Sequence, residues 1–220
     1  MQTFTRHDLS SLFRSFAARM VDERARLGVL DGEIGDADHG VAMAGGFEAA
    51  AKSLVETDNG SQTLGEGFSL AASALLNAVG ATTGPLYASA LLHVSAAFGD
   101  AREVPFERLP EIIVAMCEGI EERGHGKSGD KTMIDAWSPA SHAVRLGLEK
   151  RMETLEILNY AAQKANEGAT ATRAMMATRG RAARLGPRSI GHLDPGAVSA
   201  AALIDALATW AAYAASKEDS

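Results

Sequence analysis

Apolar residues recur along most of this chain at helical spacings, and strictly alternating stretches are scarce. With abundant alanine and few clustered β-branched residues, the pattern predicts helices over about 8–28, 39–56, 63–79, 85–98, 105–123, 131–149, 153–178 and 195–216. Almost no strand is expected. Roughly eight helices exceed what a simple four-helix bundle needs. Helix-start signals agree: Asp38, Asp130 and Asp194 each stand where an N-cap carboxylate accepts amide protons, and Pro85 and Pro195 suit a first turn. Pro139 conflicts with the predicted helix over 131–149, because an interior proline removes one hydrogen bond and predicts a kink or break.

The joints between these helices are uneven. Gly, Asp, His and Thr concentrate in DGEIGDADHG (31–40), GATTGP (80–85), RGHGKSGDK (123–131) and RGRAARLGPRSIGHLDPG (179–196). Loops on a rigid scaffold are where binding residues collect, so function is expected there. Composition narrows the class. At 220 residues and 46% hydrophobic content the chain can bury a core without disulfides, and one domain over 1–220 is the default expectation. The single cysteine, Cys117, excludes an intramolecular disulfide and a cysteine-rich zinc site, and fits a reducing cytoplasm. A net charge of −7 is the wrong sign for a polyanion-binding surface and argues against nucleic acid as a partner. The polar N-terminus lacks a secretory stretch and no later segment reads as a membrane span, so a soluble protein with no membrane partner is expected.

Asp31, Asp36 and Asp38 are spaced by five and two, which scatters them around a helix axis; they converge only if the intervening chain is a loop wrapped around something. A hard cation suits three carboxylates that would otherwise repel, and magnesium takes oxygen ligands that phosphates can complete. The alternative is a turn residue at Asp36, an N-cap at Asp38 and a solvated Asp31. GHGKS lacks the glycine a phosphate loop requires, since Glu121 stands in that place. What remains is a glycine-rich turn that presents amides and Lys127 or Lys131 to an anion, or a solvated connection. GATTGP brings Thr82 and Thr83 between small residues, either to approach a phosphate or as an ordinary helix–helix turn. Arg188, His192 and Asp194, with Arg181 upstream, offer groups for phosphate, although loop arginines are usually solvated. Together these loops describe a magnesium-phosphate pocket.

The blocks EIGDADHG (33–40), SGDKTMIDAW (128–137) and GPRSIGHLDPGA (186–197), supported by RGRAARLG (179–186) and GATTGPLY (80–87), resemble the L subunit of dihydroxyacetone kinase, equivalent to the C-terminal nucleotide-binding domain of the single-chain enzymes. The resemblance covers nearly the whole chain. It implies an all-α, single-domain barrel of about eight antiparallel helices with the nucleotide site in the loops at one end. By motif position it implies that Asp31, Asp36 and Asp38 hold two magnesium ions, and that His39, Thr82, Thr83, Gly124, Thr132, Met133, Arg181, Asp194, Pro195 and Gly196 line a site for ADP or ATP. Where related subunits often have asparagine after the first motif, this chain has Ala42, which removes a polar contact near the nucleotide.

The resemblance further implies a phosphotransferase whose ketose sits on a partner K-type subunit. The γ-phosphate comes either from exchanging Mg-ATP or from bound ADP rephosphorylated by a phosphocarrier subunit of the sugar phosphotransferase system. The competing class is a nucleotide-sensing module that docks on a transcription regulator.

Overall fold

Thr5 opens the first helix with a reciprocal cap: its side chain accepts the Asp8 amide while the Asp8 carboxylate accepts the Thr5 amide at 2.9 Å. That helix, α1, runs Arg6–Ile34 and is followed by α2 (His39–Glu56), α3 (Leu64–Ala78), α4 (Thr83–Phe98), α5 (Glu111–Gly124), α6 (Ile134–Glu149), α7 (Thr154–Ala171) and α8 (Pro195–Glu218). The computed structural model describes residues 2–57, 63–80 and 82–218; Ala81 of the GATTGP loop lies outside them. Each helix packs on the next, and α1 packs on α8, so among the described residues the ring closes into an eight-helix barrel.

This connectivity decides where the functional loops fall. In an up-and-down ring, every second connection emerges at the same end. The four Gly-rich segments join α1 to α2, α3 to α4, α5 to α6 and α7 to α8, and therefore share one end. At the other end β1 (Thr3–Thr5) pairs antiparallel with β2 (Glu103–Pro105) in the α4–α5 connection.

The few aromatic residues are spent inside the barrel. Phe13 of α1 packs on Phe47 of α2 at 6.5 Å, Phe47 on Tyr87 of α4 at 5.7 Å, and Tyr87 on Trp137 of α6 at 6.4 Å. One buried cluster draws on all eight helices. Helix α8 has the length and hydropathy of a membrane span over Pro195–Lys217, contrary to the expectation from sequence, yet 72% of that window is buried as a wall of this core.

Several expected boundaries move. Helix α1 extends to Ile34, so the first residues of DGEIGDADHG are helical. The segment 105–110 before α5 holds the end of β2 and a 3-10 turn (Phe106–Arg108), and the predicted helix over 153–178 ends at Ala171. Pro139 does not break α6, which runs unbroken from Ile134 to Glu149. The carbonyl of Asp135, whose usual amide donor Pro139 cannot supply, lies where a Cβ on Gly168 of α7 would stand. Helix α7 passes there because Gly168 has none.

Candidate functional site

Four helix N-termini meet at the loop-bearing end. His39, Thr83, Ile134 and Pro195 are the first residues of α2, α4, α6 and α8, and all four helix starts border one cavity of about 400 Å³. Helix N-termini carry partial positive charge and unsatisfied amides, so this arrangement favours an anion.

The acidic corner of the cavity is built between α1 and α2. Asp31 sits in the last turn of α1, where it is buried, and its Oδ2 accepts the backbone N–H of Asp38 at 3.0 Å and of His39 at 3.2 Å. Asp31 therefore caps α2, the task sequence reading gives to Asp38. The Asp38 carboxylate makes no cap hydrogen bond and stays exposed. Ala37 takes a left-handed backbone, φ 65°, between Asp36 and Asp38. Gly35 has no Cβ because one there would collide with the Asp31 carboxylate. Ligand oxygens of Asp31, Asp36 and Asp38 consequently lie within 4.8 Å of one another. The side-chain convergence expected from sequence is present, although a helix end and a short loop produce it rather than a loop alone.

Arg181 Nη1 bridges this corner, paired to Asp36 Oδ1 and 3.3 Å from Asp38 Oδ2. Arg179 binds Asp130 at 2.8 Å and the Gly124 carbonyl at 3.3 Å, tying the α7–α8 connection to the α5–α6 loop. Asp194 behaves as the sequence predicts: its Oδ2 accepts the Ala197 amide at 2.7 Å and caps α8. Burial pushes its carboxyl up to about 7, opposed by that amide and by the Lys131 ammonium and reinforced by the charges of Asp135 and Asp31. His39 Nε2 lies 2.9 Å from Ser199 Oγ, and burial lowers its pKa against the pull of Asp31.

All thirteen residues singled out from motif position border the cavity: Asp31, Asp36, Asp38, His39, Thr82, Thr83, Gly124, Thr132, Met133, Arg181, Asp194, Pro195 and Gly196. Other expectations fail. Asp130 does not cap α6; it accepts the Lys127 amide and binds Thr178 and Arg179, and these contacts, that of Thr178 first, lower its pKa. Asp135 takes the Thr132 and Gly129 amides instead. Lys127 and Arg188 are not among the lining residues, and His192 Nδ1 is engaged 3.0 Å from Glu33 outside it. Lys131 borders the cavity, but it is 1% exposed and its ammonium is turned to backbone carbonyls, so it does not present its charge to an anion. Ala42 packs against the core in the second turn of α2 and does not line the cavity. Sequence reading overlooked an apolar wall of Ile34, Leu86, Ile120 and Ile134, which helical periodicity alone assigns to the core.

Comparison with known proteins places this geometry. Residues 33–209 match the DAK2 domain. The chain is 40% identical over 192 residues to the PEP-dependent dihydroxyacetone kinase 1, ADP-binding subunit DhaL, of Listeria innocua, covering 87% of this chain and 90% of that one. It is 35% identical over 182 residues to the PEP-dependent dihydroxyacetone kinase, ADP-binding subunit DhaL, of Escherichia coli K12, covering 81% and 84%. An L-erythrulose 1-kinase of Mycolicibacterium smegmatis is 34% identical over 91% of this chain, which spans 35% of that longer protein. The fold matches the dihydroxyacetone kinase of C. freundii, solved with AMP-PNP and Mg2+, with a TM-score of 0.71 at 23% identity over 95% of this chain and 35% of that one.

Proposed function

From the premise that this chain belongs to the DAK2 domain family, a family of ketose phosphotransferases, we propose that it is the magnesium-nucleotide subunit of a dihydroxyacetone-type kinase. The observation that carries this reading is the meeting of Asp31, Asp36 and Asp38 with four helix N-termini around one cavity. Acid residues at an anion-binding end are repulsive toward phosphate unless cations lie between them.

The corner fits magnesium. Its donors are carboxylate oxygens, the hard ligands that magnesium takes, and a cationic guanidinium already lies between Asp36 and Asp38. Asp31, Asp36 and Asp38 would hold the metal, two ions by family resemblance, which when bound neutralises phosphate charge and orients the transferring group.

The chain's own groups do the rest. Thr82 caps α4 without a side-chain hydrogen bond, which leaves the amides at the start of that helix for phosphate oxygens, with the Thr82 and Thr83 hydroxyls beside them. Arg181 pairs with phosphate as it leaves the carboxylates, and Thr132, Gly124, Asp194, Pro195 and Gly196 shape the cavity about the nucleotide. Leu86, Ile120, Met133 and Ile134 offer an apolar surface for a flat base. His39 is held by Ser199, and burial lowers its pKa against the pull of the Asp31 charge.

Residues 1–220 act as one domain in this reading, supported by a single main cluster that draws on every helix. No residue of the cavity is assigned to capture of a ketone. The partner is a K-type subunit that holds the ketose, and the donor is either Mg-ATP or bound ADP recharged by a phosphocarrier subunit. Ketose phosphate formation, measured by coupled assay with each component alone and together, tests the division of labour. Turnover is expected only when a matched K-type subunit is present, and robust turnover by the purified chain alone contradicts it.

A further inference from the structure

The connection from α7 to α8, residues 172–194, carries Arg181 over the acidic corner and Arg179 onto the α5–α6 loop, but contains no α-helix and only two 3-10 segments. A segment without a regular ladder must find partners for its carbonyls elsewhere. Four of them converge on one ammonium. Lys131 Nζ donates to the carbonyls of Ser189 and His192 at 2.6 Å, of Thr172 at 2.9 Å and of Met175 at 3.2 Å. These acceptors come from both ends of the connection, so the lysine closes it into a loop at its base.

Further bonds gather around this point, while Thr178 and Arg179 tie the middle of the segment to Asp130. The Gly191 amide donates to the Arg173 carbonyl at 2.8 Å, the Asp194 amide to Thr172 Oγ1 at 3.0 Å, and the Ala177 amide to Ser189 Oγ at 2.9 Å. Lys131 reaches it from the α5–α6 loop with a left-handed backbone, φ 60°, a conformation that a non-glycine residue keeps only where its surroundings enforce it. Its side chain is 1% exposed, and an ammonium so buried is stable only when every proton is taken up. Here more carbonyls are present than protons. The loop above therefore has a charged pin at its base and two arginines at its tip.

Resting on the magnesium-nucleotide reading of the cavity, we propose that Lys131 is a positioning residue: its ammonium holds the 172–194 loop in the shape that sets Arg181 over the Asp36–Asp38 corner. It acts on the ligand only through that loop. Removing the pin takes a charged donor from four carbonyls, of which that of Thr172 keeps the Met175 amide, and Arg181 loses its fixed approach to the phosphates.

The test compares Lys131→Met, Arg181→Ala and the double variant with the wild type, using Mg-ADP calorimetry and tryptic digestion without nucleotide. Each single variant is expected to bind Mg-ADP about 10-fold or more weakly, the range seen when groups supporting a metal site are removed. The double variant is expected to be no weaker than Arg181→Ala, because the lysine works through that arginine. Trypsin is expected to cut Lys131→Met within 173–188 much faster than the wild type. Wild-type affinity in Lys131→Met, fully additive losses, or an unchanged digestion rate overturns the proposal.

Should Lys131→Met fail to fold, the wild-type chain still decides, through the nitrogen resonances of its lysine side chains. One slowly exchanging ammonium, further protected by Mg-ADP, is expected, and no protected ammonium overturns the proposal. A wild type that binds no Mg-ADP sinks the nucleotide reading, and the digestion of Lys131→Met then still reports on the pin.

Discussion

Asp31 Oδ2 accepts the backbone amide of Asp38 at 3.0 Å, so the carboxylate at the end of one helix caps the next and leaves the Asp38 side chain exposed. The two residues differ in what they support. Asp31 is structural as well as acidic, whereas Asp38 contributes only its charge to the corner.

Stability measurements should separate them. In chelator, Asp31→Ala is expected to cost about 0.5–2 kcal/mol in urea denaturation, the usual loss for a helix cap. Asp38→Ala should stay within about 0.5 kcal/mol of wild type, as exposed positions do. Equal losses would show that Asp31 does not hold the start of α2.

The crossing of α1 and α2 offers a second contrast. A Cβ on Gly40 would meet the Arg24 carbonyl and stand 2.9 Å from the Gly28 amide, whereas one on Gly45 meets nothing within 4 Å. Gly40→Ala should destabilise by about 1–3 kcal/mol through overpacking. Gly45→Ala should stabilise by roughly 0.5–1 kcal/mol, since glycine is costly inside a helix. Both are read from denaturant midpoints. A neutral Gly40→Ala would mean that the helices separate more easily than their backbone contact implies.

A ligand that binds only the folded state adds free energy with the logarithm of its excess over the dissociation constant. Mg-ADP at about 100-fold excess should therefore raise the melting temperature of nucleotide-free protein by roughly 5–10 °C. The shift should fall to about half or less in Asp36→Asn at the same nucleotide concentration. No shift in the wild type would show that the cavity is not a nucleotide site.

Much of this architecture is legible in the chain because its signals are local. Helical spacing locates all eight helices, and the Asp194-Pro195 start carries its own cap and first-turn residue. The Gly-rich loops fall at alternate joints, which in an up-and-down ring is one end. The rest depends on partners distant in sequence. Lys131 reads as a loop cation until Thr172, Met175, Ser189 and His192 are brought to it. Leu86 and Ile120 follow the same spacing as core residues, so periodicity cannot assign them to a cavity wall. The paired strands Thr3–Thr5 and Glu103–Pro105 are three residues each, too short for alternation to declare itself.

The central claim is that the Asp31–Asp36–Asp38 corner binds nucleotide through magnesium. Calorimetric titration of ADP into nucleotide-free protein, with magnesium and with chelator, for wild type and Asp36→Asn, tests it most directly. The account predicts saturable binding by the wild type with magnesium, and losses of about 10-fold or more both in chelator and in the variant. ADP affinity unchanged by chelator and by Asp36→Asn would contradict it.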